Sequence, residues 1–330
     1  MSVRVAVTGP TGEIGLSTIS ALEDHPDVES IVGMARRPFD PAEHGWTKTT
    51  YRQGDILDRD AVHALVADAD TVVHLAFIIM GSRDESARVN LQGTRNVFEA
   101  AVAEPRVRRL VYTSSVAAYG YHSDNPVPIT EDVPTRGSPE HYYSEQKAAC
   151  EAVLAEVTIG SSLQVYILRP CIVAGPKATA LADAMPWNQL PGTVRRVTQA
   201  LPLLKPPFPD PGTPLQLVHH DDVASAIAAA VTTDSAPPGA YNIAGEGVLS
   251  MSTVGDALGA RPVKVPHAAA TATSEVIARL PFVPSILEWL HAGRTSVVMD
   301  TTKAREQLGW QPTFTAAETL RALASAAGNA

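Results

Sequence analysis

Residues 3–15 read Val-Arg-Val-Ala-Val-Thr-Gly-Pro-Thr-Gly-Glu-Ile-Gly, an alternating β-type run that empties into glycines at positions 9, 12 and 15. Glycines at that spacing, directly after a strand, suit a turn too tight for side chains, bare backbone N–H groups open to a pyrophosphate, and a helix packed close against the strand. Residues 16–22 read as that helix and 30–35 as a second strand, which makes a βαβ unit of about 30 residues. Gly9, Thr11, Gly12, Glu13, Ile14 and Gly15 are therefore candidates for binding a dinucleotide.

Further β-type runs at 71–75, 110–113 and 164–168 alternate with segments of helical period. That order specifies an α/β chain with a Rossmann-type, doubly wound parallel sheet. After Arg169-Pro170 the character changes: prolines at 176, 186, 191, 202, 206, 207, 209, 211 and 214 read as loop and short helix. Runs at 215–219 and 241–244 read as strands again. The expected division is a dinucleotide-binding domain over 1–175, rejoined by about 215–245, and a smaller mixed α/β substrate lobe from 176–214 and 246–330, ending in a helix at 316–327.

A net charge of −9 without a Lys/Arg stripe argues against nucleic acid or an anionic membrane as partner and leaves a small molecule. The most apolar stretches, 72–80 and 223–231, fall far short of the roughly 20 residues that span a bilayer. With the first strand beginning beside Met1 no leader is expected, and the two cysteines, Cys150 and Cys171, in segments read as buried, are expected as free thiols. A cytoplasmic location is the expectation.

The sequence Tyr142-Tyr-Ser-Glu-Gln-Lys147 opens a helical stretch and puts Tyr143 and Lys147 on one helix face. A phenol is a poor base at neutral pH, and an adjacent ammonium is expected to bring its pKa toward the working range. Leu110-Val-Tyr-Thr-Ser-Ser115 ends a strand where open α/β sheets bind ligands. A serine there can hold a reacting oxygen beside Tyr143; for Thr113 and Ser114, capping hydroxyls are an equal reading. His219 and His220 lack ligand company at metal-site spacing, and no metal site is expected.

With these landmarks the chain resembles the extended short-chain dehydrogenase/reductase family, of the NAD(P)-dependent epimerase/dehydratase type. The resemblance also rests on Gly54-Asp-Ile56, His74-Leu-Ala76, Val89-Asn-Leu-Gln-Gly-Thr94, Leu168-Arg-Pro170 with Gly175-Pro176, Val218-His-His-Asp-Asp222, Tyr241-Asn242 and Leu308-Gly-Trp310. It implies Tyr143 as acid/base, Lys147 as its pKa partner and ribose ligand, and Ser115 as hydrogen-bonder to the substrate oxygen. By the same route Asp55 and Ile56 flank the adenine, Leu75, Ala76 and Phe77 line the cofactor cleft, and Thr113 and Pro170 border it. Asn90 either joins them or braces a helix. A homodimer is a further implication of the resemblance.

Where an acidic residue about 20 positions beyond the glycines would hold a ribose 2′-OH, Ala35-Arg-Arg-Pro38 stands instead. Arg36 and Arg37 suit the extra phosphate of NADP; NAD, with Arg36 stacked on adenine, is the alternative. Three functions remain open: hydride removal and return in an epimerase, an NADPH-dependent aldehyde/ketone reductase or hydroxysteroid-type dehydrogenase on an apolar substrate, and a non-catalytic dinucleotide sensor. Val116 and Ala117 stand where dehydratases of this family carry an acidic pair, which disfavours dehydration. Arg294 without a following Gly-Asp, and Pro214-Leu-Gln-Leu without a basic residue, make a weak diphosphate site. Met185, Trp187, Leu201, Leu203, Leu204, Phe208, Leu280, Phe282, Leu287 and Trp289 give the second lobe an apolar cast.

Overall fold

In a computed structural model, which describes residues 2–79, 83–183, 205–265 and 295–329, the alternation of residues 3–8 becomes strand β1 (Val3–Thr8). Val5 and Val7 enter the core on one face of a sheet and Ala6 the core on the other, as a period of two requires. The same split recurs along β4 (Thr71–His74), with Val72 and Val73 on opposite faces, and along β5 (Arg109–Thr113), with Leu110 and Tyr112 opposed to Val111. Both faces are buried, which is why these strands read as near-continuous apolar runs.

The remaining strands of this sheet are β2 (Val28–Ala35), β3 (Thr49–Gln53), β6 (Gln164–Pro170) and, after four short strands, β11 (Gly239–Ile243). Among the described residues they form one seven-stranded parallel sheet, in the order β11-β6-β5-β4-β1-β2-β3. The order reverses at the boundary between β1 and β4, and open α/β sheets bind ligands beyond the strand ends at that point. The edge strand β3 was not among the expected strands: Thr-Thr-Tyr-Arg-Gln is polar and partly exposed, and so carries no apolar run to mark it.

Helices α1 (Glu13–Glu23) and His220–Thr232 pack together on one face of the sheet. On the other lie α2 (Arg59–Val66), α4 (Thr94–Ala103) and α5 (Tyr142–Val157), with the short α3 (Arg83–Ala87) leading through a wide π-helical turn, Arg88–Gly93, into α4. A third apolar cluster, around Phe208, Leu215, Leu217, Leu249, Leu258, Leu320 and Leu323, lies apart from these two and includes the closing helix Ala316–Asn329. Short strand pairs accompany it, Ile172–Ala174 with Leu217–His219 and Pro207–Asp210 with Arg261–Lys264. Met80, Met185, Trp187, Leu201, Leu203, Leu204, Leu280, Phe282, Leu287, Trp289 and Arg294 lie outside the described residues.

The three glycines have different reasons to be glycine. Gly9 has a positive φ of 74°, and a Cβ there would lie 2.8 Å from the Ala76 nitrogen. A Cβ on Gly15 would fall 2.2 Å from the Gly9 oxygen. Gly12 has an ordinary φ of −82°, and its Cβ would meet only the Gly9 oxygen, at 3.5 Å. Gly15→Ala is therefore expected to cost about 2 kcal/mol or more of unfolding free energy, and Gly12→Ala less than about 0.5 kcal/mol. Urea denaturation of both variants checks this, and equal losses would refute it.

Candidate active site

The strand ends at the β1/β4 boundary are joined before any ligand is considered. Leu75 donates its N–H to the Thr8 carbonyl at 3.1 Å, and Thr8 Oγ1 lies 2.7 Å from His74 Nδ1. His74 Nε2 meets Thr94 Oγ1 at 2.9 Å on α4. Complete burial pushes the His74 imidazole down to about 3, with the Lys147 charge acting in the same direction, so the ring is neutral. It ties β1, β4 and α4 together without placing a charge in the sheet.

Gly12 precedes α1 with no capping side chain, so the first-turn amides of the helix receive no acceptor from the cap residue. Gly12 itself is exposed and Thr11 half-buried. Gly15 is buried behind the turn, and Ile14 packs against the core. The Glu13 carboxylate turns to accept the Ala180 N–H at 3.2 Å; burial, and secondarily Asp183, raise its pKa. Arg36 and Arg37 are exposed at the end of β2, and neither guanidinium has an ion-pair partner among the described residues. Asp55 Oδ1 accepts the Leu57 N–H, while the Ile56 side chain is a core group filling the space beside Gly93.

One strand further on, Thr113, Ser114 and Ser115 follow in line at the end of β5, all three buried. Ser115 Oγ caps the short turn Val116–Tyr119 by accepting the Ala117 N–H at 3.1 Å, and its hydroxyl hydrogen-bonds the Tyr143 phenol. Helix α5 delivers Tyr143 and Lys147 on one face, its first turn capped by His141 Nδ1, which accepts the Ser144 N–H. Lys147 Nζ donates to the Thr113 carbonyl at 2.9 Å and sits 3.8 Å from the centre of the Phe77 ring. That ring stands edge-on to Tyr143, with centroids 5.5 Å apart at 87°. The structure thus brings Ser115, Tyr143, Lys147, Phe77 and Thr113 together.

The electrostatics depart from expectation. Burial pushes the Tyr143 phenol up to about 12, opposed by the Ser115 hydrogen bond. Lys147 Nζ lies 5.9 Å from the phenol ring centre and is engaged by Thr113 and Phe77. Burial also pulls the Lys147 ammonium down to about 8, despite Cys150 and Glu151 acting the other way. Desolvation is the largest cause of both shifts, because both groups are sealed from water.

Two further predicted positions receive structural explanations. Asn90 lies in the π-helical turn; its Oδ1 accepts the Ile78 N–H at 2.8 Å and its Nδ2 donates to the Ile78 carbonyl at 2.9 Å and to Gln146 Oε1 at 2.8 Å. These bonds tie the π-helical turn to the strand-end loop and to α5, the bracing alternative expected for Asn90. Ser114 donates to Glu151 Oε1 at 2.6 Å. Glu151 in turn makes a bidentate pair with Arg169, at 3.0 and 2.6 Å, and Arg169 reaches the Tyr119 hydroxyl. This buried network fastens α5 to β5 and β6 just behind the site and was missed, although Glu151 lies four residues past Lys147 on the same helix face. Pro170 is buried at the end of β6, in register with Ile243.

His219, His220 and Asp221 place three potential ligand atoms within 4.8 Å of one another. The lone pairs a metal would need are spent: His219 Nδ1 accepts the Asp221 N–H at 3.3 Å and His220 Nε2 the Lys177 N–H at 3.2 Å. With Nε2 accepting, the His220 proton belongs on Nδ1, where Asp221 and Ser17 both lie at 2.9 Å. The cluster is a hydrogen-bonded joint between α1, the segment after Gly175 and helix His220–Thr232.

Residues 5–244 match the family described as the NAD dependent epimerase/dehydratase family. The chain belongs to that family. An uncharacterized protein of Mycobacterium tuberculosis is 28% identical over 325 residues, covering 95% of this chain and 81% of its own. The low-salt glycan biosynthesis protein Agl12 of Haloferax volcanii is 29% identical over 184 residues, 52% of this chain and 57% of that protein. Among solved structures, the UDP-glucuronic acid 4-epimerase from Bacillus cereus in complex with NAD superposes over 99% of each chain, with TM-score 0.74 and 19% identity. The Bordetella bronchiseptica enzyme WbmG in complex with NAD and UDP covers 100% of this chain and 95% of its own, with TM-score 0.72 and 22% identity. At these identities the structures show that the epimerase/dehydratase fold is shared. Among the described residues no helix is long and apolar enough to cross a membrane.

The buried His74 gives this epimerase/dehydratase family member a measurable acid sensitivity. In the unfolded chain the ring protonates near its ordinary value of about 6.5, in the folded protein only near 3. The unfolded state therefore binds the extra proton between those values, and stability falls as pH drops through that window. Between pH 7 and pH 5 the wild-type protein is expected to lose about 2 kcal/mol more unfolding free energy than a His74→Gln variant. Parallel urea titrations test it; identical losses would mean that His74 is not held neutral.

Proposed function

We propose that this chain is a nicotinamide-dependent oxidoreductase of the epimerase/dehydratase type, in which Tyr143 moves a proton to or from a substrate oxygen held by Ser115. The carrying observation is the hydrogen bond between the Ser115 hydroxyl and the Tyr143 phenol, at a strand end beside the crossover point, with Lys147 alongside. The residues fit a dinucleotide. Gly12 is a glycine that the protein's own packing does not require, α1 begins uncapped, and Thr113 Oγ1 is buried with no hydrogen-bond partner among the described residues. NAD in the solved structures of similar fold supports the same reading.

Gly9 to Gly15 and the first amides of α1 would hold the pyrophosphate, and Asp55 and Ile56 would border the adenine. Leu75, Ala76, Phe77, Thr113 and Pro170 would line the cleft, with Lys147 on the ribose. When bound, the nicotinamide supplies or accepts hydride at its C4. In the reducing direction Tyr143 gives its proton to the substrate carbonyl oxygen as hydride reaches the carbon; in the oxidising direction it takes the hydroxyl proton back. The phenol, held up at about 12 by burial, is protonated at neutral pH and so stands ready for the reducing direction.

A reductase on an apolar substrate is the second reading, favoured by the Phe77 ring beside Tyr143 and by the apolar Val116 and Ala117 that follow Ser115. Val116 and Ala117 are buried and apolar, which leaves no acid there to expel a hydroxyl. Under either reading residues 1–175 with 215–245 form the cofactor domain and the rest the substrate lobe. A cytoplasmic homodimer is the proposed setting.

Tyr143→Phe is expected to lose two or more orders of magnitude in turnover while NADH and NADPH binding is retained, read by single-turnover kinetics and fluorescence titration. Near-full activity in that variant would remove the proposed role. Exposed and unpaired, Arg36 and Arg37 support NADP over NAD. Arg36→Ala should weaken NADPH by about tenfold or more, in line with loss of a charge-assisted bond, and leave NADH little changed. Equal weakening of both would show that the arginine does not read a phosphate.

A further inference from the structure

Tyr51 and Gln53 stand two residues apart on the edge strand β3, and so on one of its faces. Both reach across to the chain that leaves β2. The Tyr51 hydroxyl shares its one hydrogen between the Ala35 carbonyl, at 2.8 Å, and the Arg37 carbonyl. Gln53 Nε2 donates to the Arg36 carbonyl between them at 2.9 Å. The Gly54 N–H adds a second bond to the Ala35 carbonyl, at 3.0 Å. Three successive carbonyls are thus claimed from β3 and the residue that follows it.

The strand ladder does not supply the side-chain bonds. Pairing of β2 with β3 ends at Ala35 and Gln53, so Arg36 and Arg37 lie past the last paired residue. The Tyr51 ring also receives the chain as it turns back. Phe39 stands edge-on to it, with centroids 5.5 Å apart at 61°, and is itself packed against His44 and Trp46. Residues 35–39 are therefore bent around a single tyrosine that holds them by its hydroxyl and by its ring.

What this fixes is the carrier of two exposed guanidinium groups that have no ion-pair partner among the described residues. Arg52, a third arginine of this edge, is already committed to the Ala64 carbonyl at 2.7 Å. An arginine on a free loop gives up backbone and rotamer freedom when it meets an anion. One whose neighbouring carbonyls are already held gives up less.

We infer that Tyr51 and Gln53 are positioning residues for recognition of a ribose 2′-phosphate: they hold the backbone of Arg36 and Arg37 at the end of β2, so that the guanidinium groups meet the phosphate from a fixed carrier. The inference rests on the NADP reading of the proposed function. It locates part of that selectivity in β3, acting through the arginines.

Tyr51→Phe removes the hydroxyl and keeps the ring on Phe39, while Gln53→Ala removes the other side-chain donor. Dissociation constants for NADPH and NADH are measured by fluorescence titration, in the wild-type background and in Arg36→Ala/Arg37→Ala. In the wild-type background each substitution is expected to weaken NADPH by roughly 3- to 10-fold, the range of one net hydrogen bond, and to leave NADH unchanged. Without the arginines the same substitutions are expected to leave NADPH binding unchanged, because the effect runs through them. Bonds that only stabilise the fold would lower the thermal midpoint and leave the ratio of the two affinities where it was. The two variants break different bonds, so if one fails to fold the other decides. Equal weakening of both nucleotides, unaltered NADPH binding, or a loss that persists without the arginines overturns the inference, while a wild-type preference for NADPH keeps the NADP reading standing. Wild-type protein that binds NADH as tightly as NADPH overturns that reading and the inference together.

Discussion

The site depends on one backbone crossing. Gly9 approaches the Leu75-Ala76 peptide so closely that a Cβ could not be placed there, and Gly15 comes equally close to the Gly9 and Pro10 carbonyl groups. These contacts hold the mouth of α1 against the end of β4, at the point where the order of the sheet reverses. Everything with chemical potential is hung from that crossing. His74 and Thr8 lock the two strand ends, Leu75 to Ile79 runs out from them, and Asn90 carries the constraint to α5 through Gln146. A shift at Gly9 would therefore be felt at Tyr143, far along the chain in α5.

The second governing constraint is dehydration. The charged and titratable groups behind the catalytic positions are buried, and each is answered differently. Glu151 and Arg169 answer with a bidentate pair whose spare bonds go to Ser114 and Tyr119. Removing one partner of such a pair typically costs about 3–5 kcal/mol, because the other charge is left uncompensated. His74 answers by staying neutral. Lys147 has a carbonyl and a ring in place of a counter-ion, and burial pulls its ammonium down to about 8.

What the sequence made legible was the backbone logic. The alternation of residues 3–8, the glycine spacing and the Tyr143/Lys147 interval are local, so period and spacing reveal them before any folding. The edge strand Thr49–Gln53 was invisible because half of its surface faces water and its residues are chosen accordingly. For Asn90 the brace was legible as an alternative but its partners were not, since Ile78 and Gln146 are 12 and 56 residues away. The Glu151–Arg169 pair joins a helix to a strand 18 residues later, and no periodicity marks that distance. The pKa of Tyr143 could not be read for a related reason: spacing places a lysine on the same helix face, but whether the ammonium turns to the phenol or to Phe77 is decided by rotamers.

That choice sets the electrostatics of the site. The ammonium lies on the Phe77 ring and the Thr113 carbonyl, and burial keeps Tyr143 a protonated, weakly acidic group. An ammonium drawn nearer to the phenol would stabilise phenolate and favour the oxidising direction, by the ordinary attraction of opposite charges in a medium poor in water.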